Sequence, residues 1–459
     1  MPHTAIAIPW NVLYAIDFVL IVLFALSYYF RCYRKGYRID FWYAQLFLLC
    51  VFPNMILLPF ARNQLNEIVL GQDMDAVVYV LPTVFLITLV GYFAVLAGGG
   101  LWRLRIGMGA RNMTAKALHI VPRCSLMLMS SYGVLVFQSV LCFVFQFMIL
   151  ALYFSQSGFA FDLRSYTFAN PALRPIALLI SDYSVIIASH CLARYVDKKE
   201  KVLLACTLLL TFGLVFFGAR GNLISIYLSV LICYVVKLRK RISLFRVIVV
   251  GAFILMFAFY LGNARSGDYS LSGLFGSLIF LVFYGNNFSD LRDFAWVYSA
   301  WNHVFWAGKT YLAAILAFVP RFASHFRDTW SLGVVTASAV GFDPEVHPGL
   351  RPGAFGESYF NFGLFGVVIV GLILGVITRR VDLDVKSAFL LPSPSMMKAF
   401  ASTMLLGIAA TIAVSAGFSG VYVLAVVYLF SWLCLSARRM FSPRQISGDG
   451  AEPGAQISS

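Results

Sequence analysis

The chain has 459 residues, of which 61% are hydrophobic and only 12% charged, with a mean hydropathy of +0.84. A soluble domain carries about 25% charged residues, so a soluble globular enzyme is excluded and a polytopic membrane protein is expected. The formal charge of +15 does not point to nucleic acid. There is no run of stacking aromatics interleaved with Lys and Arg, and basic residues are retained on cytoplasmic loops beside anionic headgroups.

Apolar runs approaching the roughly 20 residues that cross a bilayer predict eleven spans: 10–30, 42–61, 76–98, 126–154, 175–193, 202–217, 223–236, 247–262, 363–378, 399–416 and 420–436. The first follows no basic n-region and precedes no small-residue cleavage site, so it reads as a retained span and not a signal peptide. The pair 202–217 and 223–236 is short and joined only by Gly218-Ala219-Arg220-Gly221-Asn222, a hairpin turning within or below the headgroup region. Residues 263–362 form the one long non-spanning stretch. Its apolar runs Leu271 to Tyr284 and Tyr311 to Val319 are too short to span and predict re-entrant or interfacial helices. The expected organisation is a bundle over 1–262, a large loop over 263–362, C-terminal spans over 363–441, and a disordered Gly/Ser/Pro/Gln-rich tail over 442–459. No internal repeat is found, which speaks against an inverted-repeat transporter. The eight cysteines show no metal-ligand spacing and no disulfide framework. Neither a metal nor a cofactor is expected.

Charge sets the orientation. Twenty-five Lys and Arg fall in the loops of one side and ten on the other, so the positive-inside rule places the first side in the cytoplasm and the 263–362 loop outside. Lys309 is the only lysine among those ten outer cations. A guanidinium bonds phosphate oxygens as a planar fork and stays charged at any pH, so an arginine-biased outer surface suggests a phosphate or pyrophosphate ligand. Arg220, set between small residues in the hairpin, is the leading candidate, and its alternative is a snorkelling helix end. Arg265 follows the next outward span. Arg164, Arg174, Arg292, Arg321, Arg327 and Arg351 are further outer cations, for each of which a surface salt bridge is an equal reading.

The stretch Leu350-Arg351-Pro352-Gly353-Ala354-Phe355-Gly356-Glu357-Ser358-Tyr359-Phe360-Asn361-Phe362-Gly363 leads straight into a span. Glu357 and Asn361 share a helix face at i, i+4, and Glu357 reads either as a general base or as a counter-ion to the arginines. Asp290, Arg292 and Asp293 could line a polar groove. Trp296, Tyr298, Trp301 and Trp306 could offer faces to sugar rings or anchor at the interface. Asp182 is a carboxylate inside a span, which marks function or pairs with a neighbouring arginine. Asp382-Leu383-Asp384 reads as a solvated loop between basic residues, and His303, His325 and His347 form no metal or catalytic motif.

The span number, the arginine in Gly218-Ala219-Arg220-Gly221, the single large outer loop late in the chain, and the run Gly356-Glu357-Ser358-Tyr359-Phe360-Asn361-Phe362-Gly363-Leu364-Phe365-Gly366 together resemble the oligosaccharide repeat-unit polymerases, the O-antigen polymerases of the bacterial envelope. The resemblance implies an all-α, GT-C-like glycosyltransferase of the inner membrane. It would need no metal, nucleotide sugar or other cofactor, and would join undecaprenyl-pyrophosphate-linked repeat units on the periplasmic face. Its implied partners are the lipid-linked donor and acceptor glycans, the bilayer and a chain-length regulator protein. Arg220 and Arg265 match arginines that would hold the pyrophosphate, and Arg351, Glu357, Tyr359 and Asn361 lie in the closing motif. Two other readings stay open: an O-antigen ligase acting on the same donor, and a non-enzymatic transporter of lipid-linked glycans.

Overall fold

The computed structural model describes residues 10–35, 55, 74–101, 108–157, 163, 166, 170, 173–217, 220–238, 256, 289–319, 323–344, 347 and 349–441. All regular structure among them is helical. The helices are α1 (Trp10–Lys35), α2 (Met74–Leu101), α3 (Met108–Ser130), α4 (Tyr132–Ser157), α5 (Leu173–Lys198), α6 (Lys201–Phe216) and α7 (Arg220–Leu238). After them come α8 (Asp290–Ala300), α9 (Lys309–Ile315), α10 (His325–Trp330), α11 (Leu332–Ala339), α12 (Gly353–Leu390), α13 (Met396–Ile412) and α14 (Phe418–Phe441).

Five of the described helices are long and apolar enough to cross a membrane, over Asp75–Gly100, Tyr132–Gln156, Leu173–Lys198, Gly353–Leu390 and Phe418–Ala437. The protein is therefore a multi-pass membrane protein by the length and composition of its helices. Of the other sequence-read spans, 10–30, 202–217, 223–236 and 399–416 coincide with helices whose apolar stretches are shorter. The segments 42–61 and 247–262 lie outside the described residues, apart from Met55 and Met256, as do the run 271–284 and the tail 442–459. Large apolar side chains point outward, Phe147, Phe212 and Phe365 among them. In a bilayer those faces meet hydrocarbon, while the helices satisfy their own backbone groups.

Two large hydrophobic cores organise the bundle, beside a smaller cluster of Ile149, Tyr153, Leu163, Ala177, Ile180 and Phe217. The first joins α1, α2, α8, α11, the N-terminal part of α12 and the end of α13. The second joins α3 to α7 with the C-terminal part of α12, α13 and α14. Helix α12 crosses both. It seats on α2 through glycines: a Cβ on Gly371 would lie 2.4 Å from the Gly91 carbonyl oxygen, and one on Gly375 2.1 Å from that of Val95. The run Gly371-Leu372-Ile373-Leu374-Gly375 is the small-x-x-x-small pattern that lets membrane helices approach backbone to backbone.

Three local readings need correction. The segment between the expected spans 76–98 and 126–154 is not all loop, because α3 starts at Met108, and a break at Ser131 separates α3 from α4. The expected loop around Asp382-Leu383-Asp384 is helical, because α12 continues to Leu390. There Asp382 is buried and takes Arg379 and Lys386 as partners at 2.6 and 3.0 Å, at i−3 and i+4, while Arg380 pairs with Asp384 at 2.9 Å. Charge pairs at these spacings support a helix and do not break it. Finally, the apolar run beginning at Tyr311 forms α9 and a 3-10 turn over Leu316–Phe318, a short helix as expected, but α8 and α11 of the large loop are built into the first core.

Candidate functional site

The closing motif folds as a kinked helix. Gly363 breaks α12 with φ 64° and ψ −157°, a conformation open to glycine and costly for other residues. A kink inside an apolar interior frees backbone carbonyls that water cannot reach. Here the preceding loop supplies the donors: the Trp306 N–H bonds to the Phe360 carbonyl at 2.9 Å, and the Ala307 N–H to that of Asn361 at 3.1 Å. The Gly308 N–H then donates to the Asn361 side-chain oxygen at 2.9 Å.

Glu357 lies six residues before the kink, fully buried. The Thr310 hydroxyl donates to its Oε1 at 2.8 Å, and the Ser415 backbone N–H donates to its Oε2 at 2.8 Å. Asn361 closes the node, its Nδ2 donating to Thr310 Oγ1 at 2.8 Å and to the Glu357 carbonyl at 2.9 Å. One carboxylate thus ties α12, α9 and the turn after α13 together. Neither of these partners is an arginine, so the node differs from the expected counter-ion arrangement, and both oxygens that a base would use are engaged.

The arginines divide between places. Arg292 is buried, and its Nε and Nη2 donate to Asp293 Oδ1 at 3.1 and 2.8 Å. Asp293 Oδ2 accepts the Arg351 backbone N–H at 3.0 Å, while the Arg351 side chain stays exposed. Asp290 completes this cluster. It keeps an exposed surface, yet the protein packed around its carboxyl pushes it up to about 6, with Asp293 adding to the shift and Arg351 opposing it. The structure therefore brings Arg292 and Arg351 together around Asp293, and Glu357 and Asn361 together around Thr310. Arg220 is the first residue of α7, and Arg174 is exposed at the start of α5. Arg164, Arg265 and Arg321 lie outside the described residues.

The three tryptophans are neither open sugar platforms nor membrane-facing anchors, while Tyr298 is half-buried. Trp296, Trp301 and Trp306 are buried in the first core. Phe360 stacks against Trp306 and meets Trp301 and Phe294 edge-on, and Tyr359 lies against Tyr298 and Phe294. These rings wall the kinked segment. Among the described residues, no three His, Cys, Asp or Glu side chains gather as a metal-binding group.

A second feature is an open groove of about 540 Å³ between α5, α7, α13 and α14. Asp182, Ser189, Ser225, Ser229, Thr403 and Thr411 bring polar atoms to an otherwise apolar lining. The hydroxyls of Ser189, Ser229, Thr403 and Thr411 donate to carbonyls of their own helices. They therefore offer a ligand mainly acceptor lone pairs. The sequence reading missed Thr310 and Ser415, which are 47 and 58 residues from the carboxylate they hold, and no local signal marks them. It also missed Asp17, which the rule applied to Asp182, an acid inside a span, would have found. Compared with known proteins, the chain matches no family model, no curated protein and no solved structure.

Proposed function

We propose that this chain is a metal-independent membrane glycosyltransferase of the repeat-unit polymerase kind, with about eleven spans in a GT-C-like bundle. It moves a growing glycan from undecaprenyl pyrophosphate to a sugar hydroxyl of the next lipid-linked unit, on the periplasmic face of the bacterial inner membrane. The observation that carries the reading is the arginine bias of the lysine-poor side, nine arginines to one lysine. Arg220 heads α7, one wall of the groove, which fits a cation held close to a lipid-linked anion.

In the transfer the bond between the anomeric carbon and the pyrophosphate oxygen breaks, a bond to the acceptor oxygen forms, and the acceptor's hydroxyl proton passes to the departing pyrophosphate. Negative charge grows on the departing pyrophosphate, where fixed guanidinium groups in a water-poor site stabilise it most. Arg220 and Arg265 take that role, with Arg351, Arg164, Arg174 and Arg321 as contacts along the donor and acceptor. Arg292, committed to Asp293, and Glu357, with both oxygens engaged, enter as positioning residues, as does Asn361.

The test is the lipopolysaccharide ladder of the native host. Deleting the gene should leave lipid A–core carrying a single repeat unit, since ligation continues while elongation stops. Loss of all repeats would indicate the ligase, and accumulation of lipid-linked units on the cytoplasmic face the transporter. Arg220→Ala should abolish the ladder and Arg220→Lys should impair it markedly. Each lost charge-assisted bond is worth about 1.5–3 kcal/mol, or roughly ten- to a hundred-fold in rate or affinity. Arg62→Ala, on the same side, should be tolerated. A normal ladder from well-expressed Arg220→Ala protein would sink the phosphate-clamp reading.

A further inference from the structure

Helix α1 carries one acid, Asp17, and turns it inward. Ile16, Phe18, Val19, Val22 and Leu23 are exposed, whereas Asp17 and Ile21, four residues apart, are buried against the bundle. Asp17 is fully buried, and among the described residues neither of its carboxyl oxygens has a hydrogen-bond partner. This is the opposite of Glu357, which has a donor on each oxygen.

Among the described residues, the groups that face Asp17 offer no compensation. On its own helix Tyr14 gives its hydroxyl to the Met55 carbonyl. On α2, the described helix packed most closely on α1, the titratable residues are Asp75, Tyr79 and Tyr92, and none of them bonds to Asp17. Asp75 and Tyr79 are exposed. An ionised carboxylate without a cation or a donor is among the most costly groups to hold in an apolar interior, whereas a neutral carboxylic acid forgoes only its hydrogen bonds. A metal ion would need further ligands around it, and among the described residues no three His, Cys, Asp or Glu side chains gather to hold one.

We propose that Asp17 is a proton-binding site within the apolar helix α1: the neutral acid seats α1 on α2, and loss of the proton loosens that seat. The site stands apart from the glycosyl-transfer reading and holds whatever reaction the protein performs. Intramembrane acids of this kind commonly mark ion or proton sites.

The test uses the full-length protein in detergent micelles, treated at pH 6 and pH 9 with dicyclohexylcarbodiimide. This apolar reagent adds to protonated carboxyls and not to carboxylates. Mass spectrometry should find the adduct on Asp17 at pH 6 and several-fold less at pH 9. An unlabelled Asp17 at pH 6, with its peptide recovered, would overturn the proposal, as would equal labelling at both pH values. The second measurement is the unfolding midpoint of wild type and Asp17→Asn, a neutral near-isostere. A proton held only by the folded state is a stability contribution lost as pH rises, so the wild-type midpoint should fall further between pH 6 and pH 9 than the variant's. Identical pH responses would also overturn it.

Discussion

The two ends of α12 each bury an acid, and they stabilise it by different means. Asp382 finds Arg379 and Lys386 on its own helix, at spacings that any α-helix brings together. Those cations are long, and Lys386 stays about a third exposed, so the pair sits where charge can still reach water. Glu357, twenty-five residues earlier on the same helix, has no such neighbour. Its oxygens are held by a hydroxyl from α9 and a backbone N–H from the turn after α13. The difference teaches that the first end is local chemistry, while the second is a junction whose loss would release three segments at once.

That comparison breaks first at Glu357. Glu357→Ala leaves the Thr310 hydroxyl and the Ser415 N–H without their acceptor, at a cost of about 3–6 kcal/mol if each charge-assisted bond is worth about 1.5–3 kcal/mol. Glu357→Gln keeps one acceptor and turns an N–H toward a donor, so its loss should be smaller. Unfolding midpoints in detergent should rank wild type above Gln above Ala, and an unshifted Ala variant would show that the node holds nothing together. Asp382→Asn should cost less, about 1–2 kcal/mol, because Arg379 keeps a polar partner and Lys386 can turn to water. A loss equal to that of Glu357→Ala would erase the distinction between the two ends.

The smallest expected effect extends the comparison to α5. Buried Arg194 donates to both carboxylate oxygens of Glu200, at 2.7 and 2.8 Å, and to the Met129 carbonyl. The Arg194 hydrogen bonds hold the Glu200 carboxyl below the usual carboxylate range. The stability from this pair is thus fully present above the unfolded carboxyl's value, about 4.3, and is lost as pH falls through the lower folded value. Glu200 is partly exposed, so Glu200→Gln should cost only about 1 kcal/mol near neutral pH. Its difference from wild type should shrink below about pH 4. A difference that persists or grows in acid would locate the interaction elsewhere.

Much of the helical layout was legible because apolar runs of bilayer length must satisfy their backbone internally. Such a run is a property of consecutive residues. The helices α6 and α7 and the short helix beginning near Tyr311 were legible as shorter apolar runs. Arg220 was legible as a candidate by its glycine-flanked place at a hairpin, though composition could not say which arginines stay free: Arg292 looked like an outer cation and is buried on Asp293.

What only the tertiary structure decided is how the closing motif is used. The sequence marked Gly356 to Gly366 as special, but it could not show that Gly363 is a kink or that Trp306 and Ala307 cap the carbonyls it frees. Nor could it show that Glu357 answers to Thr310 and Ser415. The Trp296, Trp301 and Trp306 rings, equally suited by composition to a membrane surface, are packed inside. In each case the partner lies tens of residues away, and a buried polar group or ring takes its role from whichever donor or face the folded chain brings to it.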